Sequence, residues 1–460
     1  MRIAIASEFC TAVGLWRRLQ DEGADIKVWR GELHKGSPRV IPNQKHVGEG
    51  LVPLTNSWYE LLEYAKEGSR AGEPTIMLFD STASTKEGLG ALADDARAAG
   101  VHVIGASEFS DRLEMDRAFG REIAEQAGIE SPATQQFESV DACIAYARSG
   151  DLDREVYWKT DTYIDGDSTH KCVDAEDLVD YLRLVKRRGH NGACLLEDCL
   201  PGFALSTQRW WNGRAWVGPY QWDIEHKKFM PGDVGPSTGC AWNAVGLYED
   251  DEPTIAKMLN WDRLTDIFVK KYAVPGVYDI NAILKDGQAY FLEWCGRFGY
   301  DSEPAATLLY DDYSRWLWYV ATGQGEDSAP ARDRFAVTVR LTVPPAPFEH
   351  IDREDEGSAV GVYVRGDVGN LWEPPFFGYE LMYPADEGLA VAAPEGLVGL
   401  SCAVGDVASE LADEAMEWPK EGLRVPGLAY WATGVDEAII EDAKACVEAG
   451  IDDLPGGLTE

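Results

Sequence analysis

The run "VYDINAILKDGQAYFLEWCGRFG", Val277 to Gly299, gathers acids, an amide, a thiol and an arginine into one predicted β-hairpin turning at Asp286-Gly287. A period of two puts Asp279 and Asn281 on one face, with Tyr278 and Ile280 on the other. On the returning strand Glu293 and Cys295 share a face opposite Leu292 and Trp294. Acid and amide oxygens on one side of a hairpin suit a hard cation, because Mg²⁺ takes oxygen ligands and commonly uses one or two carboxylates with substrate phosphates. Arg297 adds a fork of donors matched to a phosphoryl group in transfer. A solvated polar strand face has the same composition, so the pattern alone leaves both readings open.

A second concentration of chemistry lies in "DIEHKKFMPGDVGPSTGCAW", Asp223 to Trp242. It reads as a polar, loop-like insertion between tryptophans. Backbone N–H groups flanked by Gly235 and Gly239 make a concavity suited to an anion, and His226, Lys227 and Lys228 add positive charge beside it.

The elements that must position these residues follow from periodicity. From residue 1 to 106 the chain alternates strands ("RIAIA", "DIKVW", "TIMLFD", "HVIGA") with helices, which predicts a doubly wound parallel α/β domain. A ligand then sits at the carboxyl ends of those strands, near Ser7 and Glu8 and near "DSTAST" from Asp80; turn and helix-cap chemistry accounts for the same residues. "SEFSDRLEMDRAFGREIAEQAGI" predicts one long amphipathic helix stopped by Gly128. Strands follow at "EVYWKTD" and "ACLLEDCL", with a turn through "TYIDGDS" and a hairpin at Asn212-Gly213. A polar linker near 323–334 precedes a mostly β segment closed by one helix, "VASELADEAMEW".

Composition excludes several classes. The 460 residues carry a formal charge of −37, which opposes nucleic-acid backbones and anionic membrane surfaces. No run reaches the roughly 18 apolar residues that span a bilayer. Nine scattered cysteines, without a CxxC pair, argue against structural zinc and for reduced thiols in a cytoplasmic protein.

The second stretch also carries a resemblance. Glu225, His226, Lys227, Lys228, Asp233, Gly235, Pro236, Thr238 and Gly239 fall in register with D-H-K-R-x-x-D-x-D-x-G-P-N-T-G-G-M-G, and "LEWCGRFGYDSEP" follows L-E-F-N-x-R-F-G-D-P-E. Both motifs resemble the glycinamide ribonucleotide synthetase (phosphoribosylamine–glycine ligase) branch of the ATP-grasp ligases. "LLEDCLPG" and the Gly105–Ala133 segment follow in that family's order. The resemblance implies an α/β (α+β) ATP-grasp fold in three parts. They are an N-terminal domain over 1–106, an ATP-grasp domain over 107–328 with a lid over about 124–195, and a small β-rich domain over 335–460.

It further implies ATP-dependent joining of a small-molecule carboxylate to an amine through an acyl phosphate, with no nucleic acid or membrane partner and a monomeric or homodimeric chain. Carried over residue by residue, Arg117 and Lys159 hold phosphates and Glu197, Asp198 and Leu200 form the adenine hinge. Gly235, Thr238 and Gly239 belong to the loop over the γ-phosphate, with His226 and Lys227 acting beside Arg297 in catalysis. Glu293 holds Mg²⁺ (or Mn²⁺), with Asn281, Asp279 and Cys295 as further metal positions. The chain departs from the family at four places. The G-K-G lid turn reads Gly166-Asp167-Ser168, Cys295 replaces an asparagine, Ala204 stands where an acid would hold the ribose, and "ASEFCTAVGL" replaces the phosphate-sugar motif. Altered amine specificity is the expectation. The authentic purine enzyme and a non-catalytic ATP- or metabolite-binding protein are the alternatives.

Overall fold

A computed structural model describes residues 1–9, 12–41, 44–80, 88–160, 169–232, 234–248, 250–325, 334–348, 357–384, 388–454 and 458. Arg2–Ser7, Asp25–His34, Thr75–Phe79 and His102–Ile104 pair in parallel, with Ser37–Val40 added antiparallel at one edge. Helices cover both faces, which is why Ile3–Ala6 and Thr75–Phe79 are buried without alternation. Ile3 and Ile5 join one core while Ala4 and Ala6 join another on the opposite side.

A small antiparallel sheet follows, in the order Thr134–Phe137, Cys194–Asp198, Val156–Lys159, Thr169–Cys172. Helices Val140–Ser149 and Ala175–Arg187 bury Cys143, Trp158, Leu178 and Leu182 against it. The predicted turn through "TYIDGDS" and the lid turn Gly166-Asp167-Ser168 lie outside the described residues.

The third and largest sheet has eight strands. Gln288–Cys295, Gly276–Lys285, Phe203–Trp211, Trp216–Met230 and Val234–Leu247 continue into Phe335–Thr342, Leu397–Gly405 and Phe376–Gly378. The two predicted turns are present. Asn212 Oδ1 accepts from the backbone N–H groups of Arg214 and Ala215 at 3.0 and 2.9 Å, and Asp286 and Gly287 both take the positive φ of a tight hairpin, 52° and 75°. Helices Ala408–Gly422 and Val435–Glu448 pack on one side of the sheet. Among the described residues no helix is long and apolar enough to cross a membrane.

Two elements differ from the sequence reading. Asp223–Trp242 is no loop: it is the outer part of a β-hairpin between Trp216–Met230 and Val234–Leu247, with register shifts on either side of Lys228. Gly232, Gly235 and Gly239 adopt φ of 78°, 89° and 81°, which gives the tip its loop-like composition within a strand pair. The long helix is also divided, into Glu108–Met115 and Arg117–Ala127. Asp116 ends the first and caps the second, its Oδ1 accepting from Phe119 N–H at 3.0 Å. Gly120 permits the close approach at this corner, since a Cβ there would lie 2.5 Å from the Leu113 carbonyl oxygen.

Candidate active site

The broken helix aims its second half at a cleft. Arg117 occupies the first helical position, and Arg121 follows one turn later on the same face. Across from them stand Lys159 and Glu197 of the small sheet and Glu293 of the large one. These residues line a single cavity of about 170 Å³. The two antiparallel sheets therefore form its walls, and the helix forms its back.

Glu197 is buried at the centre of the small-sheet wall. It accepts from Lys159 Nζ and, at 2.9 Å, from Arg121 Nη2. Arg121 is fixed further by Thr134 Oγ1 at 2.9 Å. Asp198, the next residue expected at the hinge, instead takes Arg154 Nε at 2.6 Å nearer the surface, and its own N–H donates to the Ala133 carbonyl. Leu200 follows the strand end, half-buried.

On the opposite wall Asp279 lies opposite Cys295 and Asn281 opposite Glu293; this register depends on a shift between Asn281 and Ala282, because the turn pairs Lys285 with Gln288 and by itself would set Asn281 against Leu292. Ser206 Oγ donates to Asp279 Oδ2 at 2.7 Å and to Asn281 Oδ1 at 2.9 Å. Asn281 Nδ2 faces the Cys295 sulfur at 3.6 Å. Burial raises the Asp279 carboxyl to about 7 against the Ser206 hydrogen bond, and burial also pushes the Cys295 thiol up. Glu293 behaves differently. Burial pushes its carboxyl up, but the charges of Lys227, Arg117, Lys159 and Arg297 together outweigh it and hold the group below its ordinary range.

Lys227 reaches this wall from the long hairpin, its Nζ 3.4 Å from Glu225 and 3.9 Å from Glu293. The Glu225 charge holds the Lys227 ammonium above its ordinary range. His226 is not brought to the same place. Alternation along the strand sends it to the other face, where it stacks on Trp242 at 4.4 Å and meets Asp442 Oδ2 at 2.7 Å. Gly235, Thr238 and Gly239 lie on the returning strand. Thr238 Oγ1 donates to the Lys227 carbonyl at 3.1 Å, and the Thr238 carbonyl accepts from Arg340. Asp233 lies outside the described residues.

Arg297 sits between this cleft and a second, much smaller cavity that it lines with Phe9, Asp80, Tyr300 and Glu303. Its Nε and Nη2 both reach Glu114 Oε1 at 3.0 Å, and its guanidinium lies 4.9 Å from the Tyr300 ring centroid. Of the predicted strand-end residues, Ser7 and Glu8 are buried and Asp80 accepts from Trp16 Nε1 at 2.8 Å; the rest of "DSTAST" lies outside the described residues. Sequence reasoning missed Arg121 and Glu114, and gave Glu225 no role beyond its place in the motif. The four-residue spacing from Arg117 was a visible signal for Arg121, whereas the Glu114–Arg297 pair joins residues 183 positions apart and left none.

No family model matches the chain. A phosphoribosylamine–glycine ligase from Methanoregula boonei is 31% identical over 304 residues, covering 61% of this chain and 67% of that relative. The chain spans about half the length of several other relatives bearing that name. Among solved structures, the phosphoribosylamine–glycine ligase of Thermotoga maritima superposes with a TM-score of 0.67 at 20% identity, covering 94% of this chain and 99% of that one. The biotin carboxylase domain of a Hydrogenobacter thermophilus 2-oxoglutarate carboxylase, solved with MgADP, ADP and bicarbonate, gives 0.59 at 14% identity over 92% and 91%. The fold is thus that of the ATP-grasp proteins, and with a relative matched at 31% identity over two thirds of its length the chain belongs to the phosphoribosylamine–glycine ligase family of ATP-grasp carboxylate–amine ligases.

Proposed function

We propose that the protein activates a small carboxylate with ATP and joins it to an amine other than phosphoribosylamine. The observation that carries the reading is the convergence of Arg117, Arg121 and Lys159 with Glu293 on one cleft, in a chain whose net charge is −37. Concentrating cations where the overall field opposes anions suits a polyphosphate. Lys159 holds Glu197 in this structure, and Arg121 remains to neutralise that carboxylate when Lys159 turns to a phosphate.

The donor set also fits a divalent ion, in a limited way. Glu293 is kept ionised by the cations around it. Among the described residues no three His, Cys, Asp or Glu side chains converge as a cage. An ion held through Glu293, with Asn281 and Asp279 on the facing strand, would therefore draw most of its ligands from phosphate and water, as Mg²⁺ commonly does. It would supply neutralisation of phosphate charge.

The chemistry consists of two displacements. A carboxylate oxygen attacks the γ-phosphorus, the bond to the β-phosphate oxygen breaks, and ADP leaves with that electron pair. The amine then attacks the acyl carbon, the C–N bond forms, the C–O bond to phosphate breaks, and two protons leave the original ammonium. Arg297 and Lys227 stabilise charge on the moving phosphoryl group, while Arg117 and Lys159 hold the rest of the polyphosphate. An altered amine site is supported by "ASEFCTAVGL" in place of the family's phosphate-sugar motif.

The test is ADP release by the full chain with MgATP, pooled carboxylates and hydroxylamine, which traps an acyl phosphate as a hydroxamate. ATP binding with neither ADP nor hydroxamate would leave a non-catalytic binding protein. The likeness to the Methanoregula boonei ligase favours a second reading, the authentic purine enzyme. Growth rescue of a cell lacking phosphoribosylamine–glycine ligase would establish it and remove the altered-amine proposal.

A further inference from the structure

We propose that Glu225 is a positioning residue: it gives the Lys227 ammonium a seat of its own and so keeps Glu293 open to a divalent ion. The inference rests on the reading above, from which it takes the ion at Glu293, and it adds the residue that keeps that carboxylate available.

Four cations around the cleft are matched with acids other than Glu293. Lys159 and Arg121 share Glu197, and Arg297 reaches Glu114 at 3.0 Å. Lys227 Nζ lies 3.4 Å from Glu225 Oε2. Among the described residues the cation nearest to Glu293 is that same ammonium, at 3.9 Å, well beyond the roughly 2.7–2.9 Å of a charge-assisted hydrogen bond. Glu293 is therefore the acid of this group that no cation grips.

The backbone that carries Lys227 is held in place, so the choice between the two carboxylates belongs to its side chain. His226 pairs with Trp242 and Lys228 with Ser237, and the Lys227 carbonyl between them accepts from Thr238 Oγ1 at 3.1 Å. The flexible four-carbon stem of a lysine can then swing a compact charge from one acid to the other. Glu225 stands two residues earlier on the same strand, Trp216–Met230, and Glu293 stands on Gln288–Cys295. Among the described residues Glu225 pairs with no cation other than Lys227.

Electrostatics gives this arrangement its consequence. A divalent ion on Glu293 repels an ammonium held there, since both seek the same carboxylate. With Glu225 ionised, Lys227 yields that place without losing its counter-charge and stays beside the moving phosphoryl group. With Glu225 made neutral, Glu293 becomes the nearest carboxylate to the ammonium, the side chain closes on it, and the ion has to displace a formed pair. Glu225 acts in this way through Lys227, without touching the ion itself.

The experiment follows Mn²⁺ binding to the full chain with β,γ-methylene-ATP, read from the enhanced water-proton relaxation of protein-bound Mn²⁺, so that no turnover is needed. Glu225→Gln should raise the Mn²⁺ concentration at half-occupancy about tenfold. In a Lys227→Met background the same change should shift it by less than about twofold, because the competing ammonium is gone. If Glu225→Gln fails to fold, Glu225→Met is compared in the same two backgrounds. Equal weakening with and without Lys227 would make Glu225 a ligand of the ion and overturn the inference. Unchanged binding in a folded variant also overturns it, as does a wild type that binds no Mn²⁺. Hydroxamate formation by the wild type is measured separately: its absence overturns the ligase reading, while the paired Mn²⁺ shifts still decide the role of Glu225.

Discussion

Replacing Arg297 by alanine should do two separable things. Arg297 and Glu114 are joined through two contacts of 3.0 Å to one carboxylate oxygen, with side chains only 14% and 19% exposed. Removing one partner of a buried pair costs about 3–5 kcal/mol. Residual exposure and proton uptake by Glu114 reduce this, so we expect about 2–3 kcal/mol from equilibrium urea unfolding. Burial already raises the Glu114 pKa even with Arg297 beside it. A carboxyl whose folded pKa lies above its unfolded value favours the folded state most at low pH, and that advantage is lost as pH rises through the folded pKa. The deficit of Arg297→Ala should therefore shrink below the ordinary carboxylate range and widen above it. The catalytic loss is distinct: a guanidinium acting on the moving phosphoryl group is worth about a hundredfold in kcat, or about 3 kcal/mol. Adding Glu114→Gln removes the stranded acid and should restore stability to within about 1 kcal/mol, with no return of hydroxamate formation. Recovery of both in the double variant would refute a catalytic role and make Arg297 a structural partner of Glu114.

Other outcomes follow from the same geometry. Arg340 grips Asp301 through Nε and Nη2 at 3.0 and 2.8 Å, both residues buried, so Arg340→Met should cost about 3–5 kcal/mol in urea unfolding. His226→Gln should lower stability by about 1–2 kcal/mol through loss of its bond to Asp442, while changing ADP release by less than about threefold, because the ring faces away from the cleft; a hundredfold loss of turnover would return His226 to the mechanism. Cys295→Asn replaces a soft donor by an amide oxygen opposite Asp279 and should lower the Mg²⁺ needed for half-maximal rate. Superimposable magnesium titrations would show that this position does not touch the ion.

Legibility in the sequence followed the range of the interactions that decide each element. The parallel strands of the N-terminal sheet declare themselves because burial on both faces leaves runs such as Ile3–Ala6 without polar interruption. The two strands of the Asp279–Cys295 wall were legible because one tight turn at Asp286-Gly287 joins them, but their pairing at the site was not, since a shift between Asn281 and Ala282 sets Asn281 opposite Glu293 rather than Leu292. Asp223–Trp242 has the opposite character: its returning strand pairs onward with Phe335–Thr342, across a span that no local periodicity reports. Glycine, proline and charge there look like a loop, yet the bulges around Lys228 admit them to a strand pair. The site assignment then follows from the element assignment. In a loop His226 and Lys227 can face one ligand together; in a strand they cannot, and only Lys227 points toward Glu293. The helix break at Asp116 acts in the same way, since Arg117 and Arg121 reach the cleft from the start of a new helix rather than from the middle of a long one. A motif match supplies residue identities and order, but which of two neighbouring residues enters the cleft depends on alternation and capping, and those are settled by partners far away in the chain.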